Sequence, residues 1–243
     1  MRQEFLGLPF DTLGPREALA ALAARRSEAP FAYVVTPNVQ HVVRVERSPA
    51  LARAMGAAWL SLCDSRPLRR LGRWHGLDLP LVTGSDLTAT IFKEALRPGD
   101  PVAVICASDS LAQALHAFRP DLEWECFVPP PGVEPGAASF KQCVHFVAFA
   151  RARFVFVCLG APKSEAICHR AALLPGARGT ALCTGAALEF MLGLKRRAPR
   201  WVQHLGLEWL HRMLSEPRRL TGRYLGAVLP LLRIWLAAGR RGA

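Results

Sequence analysis

The sequence has no apolar run long enough to cross a lipid bilayer, and no hydrophobic stretch near Met1 of the kind that forms a secretory signal. Its best candidate for a membrane segment, residues 224–238, is short and contains Pro230 and Arg233. Of the 243 residues, 51% are apolar, which is enough for a buried core. We therefore expect a globular cytoplasmic protein that does not span a membrane.

Several motifs that define enzyme and metal-binding classes are also missing. The seven cysteines include no Cys-x-x-Cys pair, and most of them lie in apolar runs, so buried reduced thiols are expected. The GxGxxG fingerprint, the GxxxxGK(S/T) phosphate loop and the GxSxG elbow do not occur. These absences argue against zinc modules and against nicotinamide, flavin and P-loop enzymes, and we expect no cofactor.

Acidic residues are scarce, with 19 Asp and Glu against 31 Lys and Arg, a formal net charge of +12. From Lys195 onward there are eleven Lys and Arg residues and two Glu residues, a net charge of +9. Apolar residues alternate with the arginines there, as in amphipathic basic helices. The pattern predicts a core of residues 1–197, a helical appendage of residues 198–243, and an anionic partner: a membrane surface, a nucleic acid or a phosphorylated ligand.

Short runs of β-branched and aromatic residues alternate with stretches of helical spacing. The predicted strands are residues 32–36, 58–62, 101–107, 124–128, 154–159 and 179–183, and the predicted helices are residues 39–55, 87–96, 111–118, 139–151 and 162–173. This alternation predicts an α/β fold with a mainly parallel sheet and helices on both faces. Because such sheets bind ligands at the carboxyl ends of their strands, the residues that follow the apolar runs are candidates for a site.

Asp64 is the strongest single candidate for a catalytic residue. It follows the apolar run of residues 57–63, and a partly desolvated carboxylate at a strand's carboxyl end could take a proton from an attacking hydroxyl. The alternative is a structural aspartate that caps the next helix, since Asp64-Ser65-Arg66-Pro67 also suits a turn.

Two strand-to-helix junctions could bind a sugar or a phosphate. Thr36-Pro37-Asn38 offers short polar groups beside helix N–H groups, with ordinary capping as the alternative. In Gly160-Ala161-Pro162-Lys163-Ser164, Gly160 permits close approach, Pro162 suits the first helical position and Lys163 brings a positive charge, so this junction could hold a diphosphate.

No Asp-x-Asp pair occurs, although many nucleotide-sugar transferases use such a pair to hold a divalent ion on the diphosphate. Without it, the charge on a nucleotide leaving group must be met by Arg, Lys or helix N-termini. The arginine-rich tail could supply that charge, and the alternative is a solvated or lipid-facing surface.

Five segments carry a family likeness: Thr36-Pro37-Asn38, residues 83–87, residues 159–163, the Lys195 to Trp201 stretch, and Gly206-Leu207-Glu208-Trp209-Leu210 with Glu216-Pro217-Arg218-Arg219-Leu220. Their order and spacing resemble those of the WecB/TagA/CpsF glycosyltransferases over nearly the whole chain. The resemblance implies a Rossmann-like core and metal-independent, inverting transfer of a sugar from a UDP-sugar to a polyprenyl-diphosphate-linked sugar. It also implies a place at the cytoplasmic face of the membrane.

The resemblance also implies roles for individual residues. Asp64 matches the proposed general base, Thr36 and Asn38 match pocket residues near it, and Arg212 and Arg219 match appendage arginines that fold over the diphosphate. The loops that would hold UDP contain Gly160, Pro162, Lys163, Ser164, Gly185 and Glu189. Glu189 stands where the family usually has Asp.

The chain departs from the family pattern at Ser65, Leu81 and Ser164, where Gly, Arg and Gln are usual. Two polar groups are thereby lost from the expected pocket. Either the donor or the acceptor sugar therefore differs from that of family members that use N-acetylmannosamine, or catalysis is weakened. A second hypothesis is therefore a catalytically silent member that acts as a scaffold for polysaccharide enzymes at the membrane. Nucleic-acid binding lacks any recognised motif, and the sequence leaves open whether the protein forms a homo-oligomer.

Overall fold

The computed structural model describes residues 1–196, 198, 199 and 202. The rest of the predicted appendage, including Arg212 and Arg219, lies outside the described residues. Within them, six strands form one sheet in the order β4-β3-β8-β7-β5-β6, and every neighbouring pair is parallel. The strands are β3 (Ala32–Val35), β4 (Leu60–Ser61), β5 (Pro101–Ile105), β6 (Glu123–Phe127), β7 (Phe154–Val157) and β8 (Thr180–Cys183).

The central strands are apolar on both faces because helices cover the sheet on both sides. In β7, Phe154 and Phe156 belong to one core cluster, whereas Val155 and Val157 belong to the other. One cluster receives residues from α2 (Val39–Val45), α3 (Pro49–Gly56), α4 (Arg66–Trp74), α7 (Ala138–Phe149) and α8 (Lys163–Ala171). The other receives α1 (Pro15–Ala24), α5 (Gly84–Thr90), α6 (Asp109–Phe118) and α9 (Ala187–Met191). The predicted fold class, a Rossmann-like parallel sheet with helices on both faces, is confirmed.

All six predicted strands are present, with ends that differ by up to two residues, but several helices differ from the prediction. Residues 39–55 form two helices, because Pro49 has no N–H to continue the first one and Ser48 caps the second by accepting a hydrogen bond from the Leu51 N–H at 3.3 Å. The helix predicted at residues 87–96 begins at Gly84 and passes into a π-helical turn over Ile91–Ala95. Helices α1 and α9 were not predicted, and α4 was expected only as the helix that follows Asp64, without bounds.

An N-terminal hairpin, also not predicted, packs against the edge of the sheet. Its strands β1 (Arg2–Phe5) and β2 (Leu8–Asp11) are antiparallel. Arg2 forms a 2.7 Å salt bridge with Asp11 and donates to the Trp59 carbonyl at 2.8 Å. Asp11 in turn accepts a hydrogen bond from the Ser61 N–H at 2.8 Å. The hairpin therefore fixes β4, the strand that leads to Asp64.

None of the helices in the described part has the length and the hydropathy that a membrane crossing needs.

We expect Gly179→Ala to destabilise the fold by about 2 kcal/mol or more, because a non-glycine residue with positive φ is strained. Gly179 has φ of +86° just before β8, and an added Cβ would lie 3.0 Å from the Ala152 carbonyl oxygen. Gly56→Ala is the control, since its Cβ would meet nothing within 4 Å. Urea unfolding of both variants measures the difference, and equal midpoints would contradict the expectation.

Candidate active site

The predicted site residues follow four strands that are consecutive neighbours in the sheet. Asp64 follows β4, Thr36 follows β3, Gly185 follows β8 and Gly160 follows β7, and the sheet order at this end is β4-β3-β8-β7. Since the strands are parallel, their carboxyl ends lie at one edge. The fold thus brings together segments that are far apart in the sequence.

Asp64 and Thr36 lie against the same glycine. A Cβ added to Gly84 would be 3.0 Å from Thr36 Oγ1 and 3.8 Å from Asp64 Oδ2. Both side-chain oxygens are thus within 4 Å of a single point. The sequence analysis placed Gly84 in a family segment but not among the site residues, because its importance comes from this long-range approach.

The backbone around Asp64 is held from two sides. Its N–H donates to the Pro37 carbonyl at 3.0 Å, which ties it to the loop after β3. Cys63 forms a parallel bridge with Leu81, and the Val82 N–H donates to the Cys63 carbonyl at 2.9 Å. These bonds align the segment that leads to Gly84 beside Asp64.

Ser65, and not Asp64, caps the helix that follows. The Ser65 hydroxyl accepts a hydrogen bond from the Leu68 N–H at 3.3 Å, and Ser65 precedes the first residue of α4. Asp64 is therefore not the N-cap of this helix. Asp64 remains a partly buried carboxylate at the edge where ligands bind.

The two polar residues after β3 differ in what they do. Asn38 caps α2, because its Oδ1 accepts from the Gln40 N–H at 3.0 Å. Thr36 makes no such cap and lies beside Gly84 and Asp64. Asn38 is therefore a helix cap, one of the two roles that the sequence left open. Thr36 lies near the candidate base.

A buried pair of titratable residues links α2 to α8. The Asn38 N–H donates to His41 Nδ1 at 3.1 Å. His41 Nε2 lies 3.5 Å from Glu165 Oε1, and both side chains are buried. The other oxygen, Glu165 Oε2, is buried and has no hydrogen-bond partner within the described part. The pair connects the loop after β3 with the first turn of α8.

The loop after β7 positions the predicted diphosphate-binding residues differently from the expectation. Helix α8 begins at Lys163, so Pro162 is the capping residue and not the first helical one, and the Ala161–Pro162 peptide is cis. Lys163 forms a 2.8 Å salt bridge with Glu134, and Gly160 is exposed. Arg44 donates to the Ala161 carbonyl and holds the loop to α2.

Ser164 is buried against the sheet. Its exposed fraction is 1%, and it lies in the first turn of α8, which packs against the sheet. A side chain in this position does not face a ligand in the loop. The structure thus gives Ser164 a packing role at the position where the family has Gln.

The loop after β8 leads to the second candidate nucleotide-binding segment. Gly185 follows β8 with φ of +53°, and Glu189 lies on α9, which packs against α5. Glu189 Oε2 accepts a hydrogen bond from Lys195 Nζ at 2.8 Å. Lys195 therefore lies beside the predicted site, although the sequence analysis named it only as part of a family segment.

The buried thiols at this edge are not nucleophiles near neutral pH. Burial raises the pKa of Cys63, which precedes Asp64, to about 12, and it does the same for Cys158 at the end of β7. A thiol attacks as the thiolate, which is scarce so far below its pKa. Within the residues that the structure describes, no group of three or more His, Cys, Asp or Glu side chains could hold a metal ion.

The fold is a parallel α/β fold whose candidate ligand-binding edge carries Asp64, the candidate general base. The sequence model of the glycosyl transferase WecG/TagA/CpsF family matches residues 3–243. The chain belongs to this family, whose members are glycosyltransferases of surface polysaccharide synthesis.

We expect Gly84→Ala to slow sugar transfer at least about tenfold, because small displacements of reacting groups are costly. The new methyl group would push against Thr36 Oγ1 and stand beside Asp64 Oδ2. Gly84 is buried, so melting curves check that the variant is still folded at the assay temperature. Rates and melting curves of this variant are compared with those of Gly56→Ala, and an unaffected rate would contradict the expectation.

Proposed function

We propose that the protein is an inverting, metal-independent glycosyltransferase that moves a sugar from a UDP-sugar to a polyprenyl-diphosphate-linked sugar. The observation that carries the proposal is the approach of Thr36, Gly84 and Asp64 at the carboxyl edge of the sheet. It places a hydroxyl and a carboxylate where ligands of parallel sheets bind. The donor is a hexosyl or an N-acetylhexosaminyl nucleotide.

In the proposed reaction, Asp64 takes the proton from the acceptor hydroxyl as its oxygen attacks the anomeric carbon of the donor. The bond from that carbon to the UDP oxygen breaks, and UDP leaves as the diphosphate. A single displacement of this kind inverts the anomeric configuration. Thr36 Oγ1 and Asp64 Oδ2 lie near the same position beside Gly84. Thr36 can therefore bind either the sugar that is transferred or the sugar that accepts it.

The leaving diphosphate needs positive charge. Lys163 is paired with Glu134 and Lys195 with Glu189, which offsets part of the charge of each lysine, and Arg44 donates to the Ala161 carbonyl in the loop after β7. Further cations would add to the stabilisation of the leaving group. We assign this role to Arg212 and Arg219 on the strength of the resemblance.

The three departures from the family pattern bear on the choice of sugar. Ser65 caps α4, Leu81 forms a parallel bridge with Cys63, and Ser164 is buried in the first turn of α8. All three residues thus have places in the fold, whereas a lost hydrogen bond to substrate would cost about 1–3 kcal/mol. We propose that the donor or the acceptor sugar of this protein differs from that of family members that use N-acetylmannosamine.

The second candidate function is a silent scaffold at the membrane. It is favoured by the apolar side chain of Leu81 and by the burial of Ser164, which leave the pocket with fewer hydrogen-bonding groups. The intact arrangement around Asp64 favours the enzyme. A scaffold would keep its cellular role without this carboxylate, whereas an enzyme would lose it.

We expect Asp64→Asn to abolish acceptor-dependent UDP release, because an amide cannot take the proton. A panel of UDP-sugars is tested with a polyprenyl-diphosphate-sugar analogue, and release that requires both substrates identifies the donor. Asp78→Asn, which removes an exposed carboxylate after α4, is the matched control and should keep the parent rate. Parent protein that is folded and bound to lipid, yet releases no UDP from any donor, would favour the scaffold.

We expect Arg212→Gln with Arg219→Gln to lower the transfer rate about 100-fold, as does the loss of other groups that stabilise developing charge. Arg240→Gln with Arg241→Gln makes the same change in net charge at the end of the chain and should have little effect. Steady-state kinetics with the donor identified above compare the two double variants. Equal rates for both would remove Arg212 and Arg219 from the site.

A further inference from the structure

Helix α4, which begins two residues after Asp64, carries four arginines on one side. Arg66, Arg69, Arg70 and Arg73 have the i, i+3, i+4, i+7 spacing of a single helical face, which we call the arginine stripe. Leu68 and Gly72 are the buried residues of the same helix and lie on its opposite side. Arg70 and Arg73 are exposed, whereas Arg66 and Arg69 are half-buried and the Nε atom of Arg69 is buried, so the basic surface of the helix is centred on Arg70 and Arg73.

The arginine stripe has no carboxylate to neutralise it within the described residues. None of its four side chains forms a salt bridge or a hydrogen bond there, whereas Arg2 is paired with Asp11 and Arg119 with Asp121. Helix α4 itself contains no acidic residue. Like charges three and four residues apart destabilise a helix. The repulsion among the four arginines therefore lowers the stability of α4, and a bound anion would reduce that repulsion.

The helix ends with Trp74, whose exposed fraction is 73%. Tryptophan and arginine on the outer face of a helix are typical of segments that lie in the headgroup layer of a membrane. A convex helical face suits a flat layer of anionic headgroups.

We propose that the arginine stripe and Trp74 form a docking surface for the anionic headgroups of a lipid leaflet. This contact is made by the core and is separate from the basic segment after Lys195. Its purpose rests on the proposed lipid-linked acceptor: because α4 begins beside Asp64, headgroups that bind the stripe bring the acceptor to the base. The charge complementarity between four arginines and anionic phospholipid carries the assignment.

The test uses the full chain with Arg66→Gln, Arg70→Gln and Arg73→Gln combined. Arg69 is kept because its Nε is buried without a hydrogen-bond partner. The control combines Arg26→Gln, Arg97→Gln and Arg151→Gln, exposed residues that precede β3, β5 and β7 and so lie toward the opposite end of the sheet. Both triple variants lower the net charge by the same amount, and melting curves check that both are folded.

Binding is measured by co-sedimentation with vesicles of phosphatidylcholine, alone or mixed with phosphatidylglycerol. Each basic residue near an anionic surface contributes roughly a fivefold gain in partitioning, so the stripe variant should bind the mixed vesicles more than tenfold more weakly. The control variant should stay close to the parent. Equal losses of vesicle binding in both variants would show an effect of net charge alone. Unchanged vesicle binding in the stripe variant would show that the stripe does not contact lipid. Either result overturns the proposal.

Two further measurements separate this inference from its alternatives. Duplex DNA at equal phosphate tests the other large polyanion, and tighter binding to DNA that disappears in the stripe variant would overturn the lipid assignment. With a short-chain, water-soluble acceptor, the stripe variant should keep the parent rate of UDP release and slow only on acceptor embedded in vesicles. If the parent releases no UDP with any acceptor, the proposed function fails, while vesicle binding still decides the docking surface.

Discussion

The parallel pairing of β3 with β4 on one side and β8 on the other is the constraint on which the site depends. Val34 is paired with Leu60 and with Leu182, so the loops after all three strands emerge at one edge. Because side chains from β3 are buried on both faces, a shift of the register by one residue would exchange the residues facing the two cores. The register that satisfies both cores is therefore the one that sets Thr36 near Asp64.

Strand β4 is short and lies at the edge of this sheet, where a strand has no partner on its outer side to hold it. The structure compensates with contacts from elsewhere in the chain. Asp11 of the hairpin accepts from the Ser61 N–H, and the segment at Leu81 pairs with Cys63 beyond the end of β4. The candidate base is thus positioned by three separate segments, and a change in any of them would reach Asp64 through the backbone.

The sequence was sufficient for the features that depend on local composition. Runs of apolar residues predicted the six strands, and the rule for parallel sheets then pointed to Asp64 and Thr36. Features that depend on contacts distant in the chain could not be predicted in this way. Gly84 is important because Thr36 and Asp64 lie beside it. The hairpin is held by the salt bridge between Arg2 and Asp11. Ser65 caps α4, a role that the sequence allowed equally for Asp64.

Two groups of basic residues in the described core have different consequences. Lys163 and Lys195 lie beside the proposed UDP loops, and each is held by a glutamate, which fixes its position but cancels much of its charge. The arginine stripe has no such partner among the described residues and lies on an outward face. A paired lysine can orient a ligand but attracts an anion weakly, whereas unpaired arginines attract anions over the range of a Debye length. We infer that the arginine stripe binds anionic lipid outside the site, whereas other cations stabilise the leaving group within it.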